Sequence, residues 1–184
     1  MSEMTWPVPL ETLSDGVIRL RRPVEEDVHE VYATAVDPLS VNFTSVPRHY
    51  TLDMAADYLR SCSDDPDLVF WAIELTGDSG HYAGNISLRS VDRAVGSVTV
   101  GYATAPWARG RGIMPRALAL VAAHAFDNDV HRIELRCLSD NVRSRSVAER
   151  CGFTFEGIRR EAALHRGSHV DTACYSLLRT DVSD

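Results

Sequence analysis

The sequence predicts an α/β fold in one domain spanning residues 1–184, and three observations carry that reading. Short runs of period-two alternation, which mark half-buried strands, take turns along the chain with runs of helical period. Between residues 98 and 120 a strand, a turn at Pro106, an Arg-Gly-Arg-Gly loop and an apolar helix follow one another without a break. The 184 residues, 45% hydrophobic and 24% charged, are enough for one substantial core without disulfide or metal support.

In chain order, residues 1–15 read as irregular, with Pro7 and Pro9. Residues 16–21 alternate apolar and polar as a half-buried strand. Pro23 opens a helix whose first turn is acidic (Glu25, Glu26, Asp27), which suits the positive end of the helix dipole. Val28, Val31, Tyr32 and Ala35 form its buried stripe, and Asp37-Pro38 stops it. Residues 39–50 read as a loop carrying Asn42, Phe43, His49 and Tyr50, and Thr51 caps a second helix over 52–61. A strand over 68–75, a turn at Gly77-Asp78-Ser79-Gly80 and a strand over 81–91 make a hairpin. A second turn leads into the strand that begins at Val98, and the following helix covers 113–126. Residues 131–138 alternate as another strand, and Asn141 introduces a short helix over 142–150, closed by Gly152. A final pair of strands starts at Phe153, turns near Arg166-Gly167-Ser168 and ends at Leu178. That makes about seven strands and four helices, with no repeat or linker to divide them.

Composition narrows the function. A net charge of −7 argues against a nucleic-acid partner, which demands a basic face, and it suits a cationic amine. No apolar run reaches membrane-span length, and the start lacks the charge and apolar core of a signal peptide, so the expected compartment is the cytoplasm. Cys62, Cys137, Cys151 and Cys174 show no Cys-x-x-Cys spacing and read as reduced thiols; no metal is expected.

The stretch 98–120 carries the main functional signal. A loop ending at a helix N-terminus presents unpaired N–H groups and the positive end of a dipole, a combination that binds phosphate. Gly110 and Gly112 allow the backbone close to an anion, Arg109 and Arg111 add charge, and Pro115 fits the first turn. A nucleoside triphosphate loop is disfavoured, because no Gly-Lys-Ser/Thr follows and all 19 basic residues are arginine. The stretch resembles motif A of the GNAT acetyltransferases, Gln/Arg-x-x-Gly-x-Gly/Ala. Trp107-Ala108-Arg109-Gly110-Arg111-Gly112 supplies both glycines, with Trp107 in place of the first Gln or Arg. The Gly101-Tyr102 pair and Arg-Gly-Arg-Gly-Ile-Met look most like the RimJ/RimL branch, which acetylates protein N-termini.

A second run, Asn141-x-x-Ser144-x-x-Val147-x-Glu149-x-x-Gly152-Phe153, resembles motif B of the same family. Read from the residues alone, Asn141 is a helix cap and Ser144 lies on the same face. The resemblance implies the GNAT fold, a mixed and mostly antiparallel seven-stranded sheet flanked by about four helices. It implies a cosubstrate, acetyl-CoA, held by Val100, Tyr102, Ala103, Thr104, Arg109, Gly110, Arg111, Gly112, Ile113, Met114, Asn141 and Ser144. A backbone donor around Tyr102 and Ala103 would stabilise the thioester oxygen, as charge developing there requires. Many relatives place an acid Tyr where this chain has Ala148, so Ser144 becomes the candidate donor to the leaving thiolate.

The expected reaction is direct attack of a primary amine, on a peptide, a protein N-terminus or a small molecule, on the thioester. It needs a proton acceptor for the ammonium group. Glu134 is the carboxylate nearest the expected cleft, although alternation can also turn it to solvent; Asp92, His49, His165 and His169 are weaker candidates. Relatives in the RimJ/RimL branch often carry Glu where this chain has Thr99. By analogy with the family, residues 39–50 and 165–169 would flank the acceptor. Cys137 can in principle be acylated, but a strand cysteine is more often simply packed. Two alternatives stand beside this reading: a larger acyl-CoA such as succinyl-CoA, and a CoA-binding regulatory domain without catalysis. Association into a homodimer is left open.

Overall fold

A computed structural model of the protein describes residues 4–182. Residues 1–3 and 183–184 of the expected domain lie outside the described residues. The strands are β1 (Leu13–Ser14), β2 (Ile18–Arg21), β3 (Leu68–Leu75), β4 (Asp78–Asp92), β5 (Ser97–Thr104), β6 (Arg132–Leu138), β7 (Thr154–His165) and β8 (Ser168–Leu178). The helices are α1 (Val28–Val36), α2 (Pro38–Phe43), α3 (Leu52–Asp64), α4 (Ile113–Asp127) and α5 (Val142–Arg150). The strands form one mixed sheet in the order β1-β2-β3-β4-β5-β6-β8-β7. Only β5 and β6 run parallel, as the long crossover through α4 requires; the other neighbouring pairs are antiparallel.

Two elements correct the sequence-based expectation of seven strands and four helices. β1 is an eighth strand, two residues long and too short to show alternation. α2 occupies the start of the segment read as a loop: Asp37 accepts from the Leu39 and Ser40 amides, and Pro38 takes the first helical position. The Asp-Pro pair therefore ends α1 and starts α2 at once.

Alternation places the core as the sequence implies. Ile18, Leu20, Ile73, Ile86, Leu88, Val98, Ile133 and Leu135 are buried in the sheet, and Leu118, Val121 and Ala125 of α4 pack among the same buried cluster. Beside them lies a buried ionic group. Arg21 holds Asp27 with two hydrogen bonds of 2.8 Å and reaches Glu74 at 2.6 Å, while Arg19 donates to the other oxygen of Glu74.

The sheet opens at its centre. β5 and β6 pair only from Ser97↔Arg132 to Val100↔Leu135. Beyond that point β5 follows β4 as far as Gly84↔Thr104, while β6 follows β8 as far as Leu138↔Thr172. The two strands part, and the backbone groups on their inner edges past Val100 are left without a sheet partner.

Candidate active site

The parted strands floor a cleft of about 990 Å³. Its walls are β5 from Val100 to Thr104, the loop leading into α4, the first turns of α4 and α5, and one side of α2. Every residue expected to contact the cosubstrate lines this cleft except Arg111. The Arg111 guanidinium instead lies 5.6 Å above the Trp107 ring, which stacks on His81 at 4.4 Å. Its side chain is thus engaged in a cation–π contact and does not line the cleft. Trp107, in place of the usual polar residue, has become the packing base of the loop.

The α4 end fits an anion. Gly112 takes the cap position with φ +71°, and no side chain caps the first-turn amides. The helix start therefore presents donors and a positive dipole end toward the cleft. Arg109 lines the same end, but its charge is shared: its Nη2 is 2.6 Å from Asp37 and 3.1 Å from the Ser40 hydroxyl. The Arg109 guanidinium holds the Asp37 carboxyl below its ordinary value, despite some burial, and ties the phosphate loop to the cap of α2. A Cβ at Gly112 meets no atom within 4 Å, so the constraint there is conformational rather than steric within the chain. Gly112→Val is expected to strain the loop by about 1–3 kcal/mol and to weaken CoA binding about tenfold by calorimetry. Unchanged affinity in a folded Gly112→Val protein contradicts this.

At the other end of the cleft, Asn141 caps α5 by accepting from the Ser144 amide at 3.1 Å. The Ser144 hydroxyl takes no part in that cap. It sits 2.9 Å from the Tyr102 hydroxyl, which crosses from β5. Cys137 of β6 also lines the cleft and interacts with Ser144. Burial pushes the Cys137 thiol up, against a smaller opposing effect of the Ser144 hydroxyl, so it stays protonated near neutral pH and is a poor nucleophile. Burial likewise raises the Tyr102 phenol well above its usual range. Ala148 is fully buried and supplies no acid.

Glu134 does not line the cleft. Arg132 and Arg136 grip its carboxylate at 3.2 and 2.6 Å, because alternate residues of one strand share a face. Thr99 and Gly101 lie on that opposite face and, with Tyr58, Ser61, Arg89 and Arg136, line a second groove of about 430 Å³. Val100, Gly101 and Arg136 belong to both hollows, so the two meet where the strands part. Of the segments expected to flank the acceptor, the hairpin reaches α2: Arg166 donates to the Val41 carbonyl at 3.1 and 2.6 Å. Leu39, Ser40, Phe43 and Thr44, from the other segment expected to flank the acceptor, line the cleft; reading 39–50 as a loop missed only the helix that presents them.

The cleft lies between parted parallel strands and ends on an uncapped helix N-terminus, and the chain belongs to the acetyltransferase (GNAT) domain family, whose pattern it matches over residues 18–154. Among its relatives, YdaF of Bacillus subtilis (strain 168), named by inference a ribosomal N-acetyltransferase, is 33% identical over 103 residues. That match covers 55% of this chain and 56% of YdaF. The ribosomal-protein-serine acetyltransferase of Escherichia coli (strain K12) is 30% identical over 94 residues, covering 50% of this chain and 52% of that protein. The chain thus aligns with little more than half the length of these relatives. Mycobacterium smegmatis RimJ, solved in complex with CoA-disulfide, superposes with a TM-score of 0.86 at 21% identity, over 98% of this chain and 93% of that one, and so shares the fold. No helix among the described residues is long and apolar enough to cross a membrane, and no group of side chains among them is arranged to hold a metal.

Proposed function

We propose that the protein transfers an acetyl group from acetyl-CoA to a primary amine by direct attack, acting in the cytoplasm as one acyltransferase domain. The observation that carries this is the continuity of the cleft from the uncapped Gly112 helix start to the Ser144 hydroxyl, past the free inner edge of β5. Phosphates bind at the first end, the pantetheine arm runs along β5, and the thioester lies at the second end, where backbone N–H groups near Tyr102 and Ala103 can meet the carbonyl oxygen. Relatives named for ribosomal proteins support a protein N-terminus as the acceptor. An α-amine has a pKa of about 7.7–8.0, so a fraction is already neutral near pH 7 and a water chain suffices to take its proton. That agrees with a cleft whose lining holds no carboxylate among the described residues, the expected candidate Glu134 being held by two arginines outside it.

The test pairs thiol release from acetyl-CoA with mass spectrometry of the acceptor, using peptides with free and blocked N-termini and a panel of acyl-CoAs. Acetyl on the α-amine, only with free N-termini, is the expected product. Transfer only to hydroxyl groups, or only from a larger acyl-CoA, overturns the reading.

A further inference from the structure

Ala148 leaves this chain without the tyrosine that many relatives carry on the α5 helix, yet a tyrosine hydroxyl stands in the cleft all the same, brought by β5. The Tyr102 oxygen is 2.9 Å from the Ser144 hydroxyl and 3.4 Å from the Ser144 carbonyl oxygen. We infer that Tyr102 is a positioning residue that aims the Ser144 hydroxyl hydrogen at the sulfur of CoA, so that Ser144 stabilises the departing thiolate by a hydrogen bond. The inference rests on the acyl-transfer reading above.

Two hydrogen arrangements satisfy the pair. In one, Tyr102 donates to the Ser144 carbonyl and Ser144 donates to Tyr102. In the other, Tyr102 donates to the Ser144 hydroxyl oxygen, and the serine hydrogen is free to turn into the cleft. The second uses the 2.9 Å contact for the tyrosine proton. It is also the arrangement that negative charge in the cleft selects, because a hydroxyl that accepts one hydrogen bond becomes a better donor in the next. Burial keeps the Tyr102 phenol protonated, so it remains a donor across the working pH range. Asn141 holds the serine backbone by its amide, so the cap does not occupy the hydroxyl, whose other neighbour is the Cys137 thiol.

The chemistry balances without a proton relay. The amine nitrogen bonds to the acyl carbon, the carbon–sulfur bond breaks, and its electron pair leaves on sulfur. The amine's proton goes to water. Neither Tyr102 nor Ser144 gives up its proton, which matters because a phenol raised by burial is a weaker acid than a thiol of pKa about 8.5. The charged or titratable groups that line this end of the cleft or act on Cys137 and Tyr102 are Cys137 and Arg136 of β6, Arg143, Arg145 and Arg150 of α5, Cys151 after it, Asp140 before it and Cys174 of β8. The Cys137 and Cys151 thiols are raised by burial and neutral there.

The experiment is a double-mutant cycle of Tyr102→Phe and Ser144→Ala with two readouts. One is the single-turnover rate of acetyl transfer to a free-N-terminal peptide. The other is the ionisation of bound CoA, followed by NMR of CoA carrying carbon-13 next to sulfur, which needs no turnover. Tyr102→Phe is expected to slow transfer about tenfold and to raise the pKa of the bound thiol by about one unit, with CoA affinity nearly unchanged. In the Ser144→Ala background the same change is expected to do neither. Wild-type behaviour of Tyr102→Phe, equal effects in both backgrounds, or a loss that tracks CoA affinity would overturn the inference. If the wild-type protein transfers no acetyl while the thiol titrations follow the expected cycle, the acyl-transfer reading fails and the thiolate site stands.

Discussion

Ser144→Ala, which removes a hydrogen-bond donor to developing charge, is expected to lower the single-turnover rate of acetyl transfer about ten- to a thousandfold, with CoA affinity within about twofold of wild type. The asymmetry follows from when the interaction is made. A hydrogen bond to sulfur strengthens as the thiolate develops, so its loss raises the barrier without weakening the ground-state complex. The structure also separates this from a structural effect. The α5 cap is the Asn141 oxygen on the Ser144 amide, which alanine retains, so the melting temperature should hardly move. Unaltered single-turnover kinetics in a folded Ser144→Ala protein would remove the residue from the chemistry. Steady-state rates are not a substitute, since slow product release conceals a change in the chemical step.

Arg21→Ala is expected to cost about 3–5 kcal/mol of folding stability, measured by urea unfolding near pH 7. Asp27 and Glu74 are 2% and 0% exposed, and Arg21 is bonded to both. Among the described residues, its removal leaves Asp27 without a paired cation and Glu74 with Arg19 as its one cation. Arg21→Lys retains the charge but not the paired geometry and should recover only part of the loss. Burial by itself would raise the Glu74 carboxyl, but hydrogen bonds from Arg21 and Arg19 outweigh it and leave it below the ordinary carboxylate range. A folded value below the unfolded one means stability that is fully present above the unfolded pKa of about 4.3 and lost as pH falls through the folded value. The gap between wild type and Arg21→Ala should therefore narrow on acidification below about pH 4. A variant within about 1 kcal/mol of wild type at pH 7 would show that the buried group contributes far less than such pairs do elsewhere.

Local pattern made much of this molecule legible. The strand over 68–75 and the helix over 142–150 coincide with β3 and α5, and α4 begins at Ile113 as its glycine and proline signals imply. The Asp37-Pro38 pair was read as a stop, although the same two residues are a favoured cap and first helical position, so α2 and its cleft wall were within reach of the sequence. The ion pairs of Glu134 were also within reach, since Arg132, Glu134 and Arg136 alternate on one strand.

What stayed hidden depends on contacts between distant segments. Nothing local shows that Tyr102 crosses to Ser144, forty-two residues on, or that Arg111 turns to Trp107 rather than into the cleft. The buried partners of Arg21 come from the turn before α1 and from β3, and Glu74 stands in an otherwise apolar strand where periodicity gives no hint of them. The parting of β5 and β6 is likewise a register property, known only once both strands have found their outer neighbours.

A crystal structure with CoA bound would show where the cleft holds its ligand. The pyrophosphate is expected on the amides at the Gly110–Gly112 turn and the start of α4, the pantetheine arm along the free edge of β5, and the sulfur about 3–4 Å from the Ser144 hydroxyl, the range for a hydrogen bond to sulfur. CoA bound elsewhere, or in this cleft with its sulfur away from Ser144 and the parted strands, would contradict that placement.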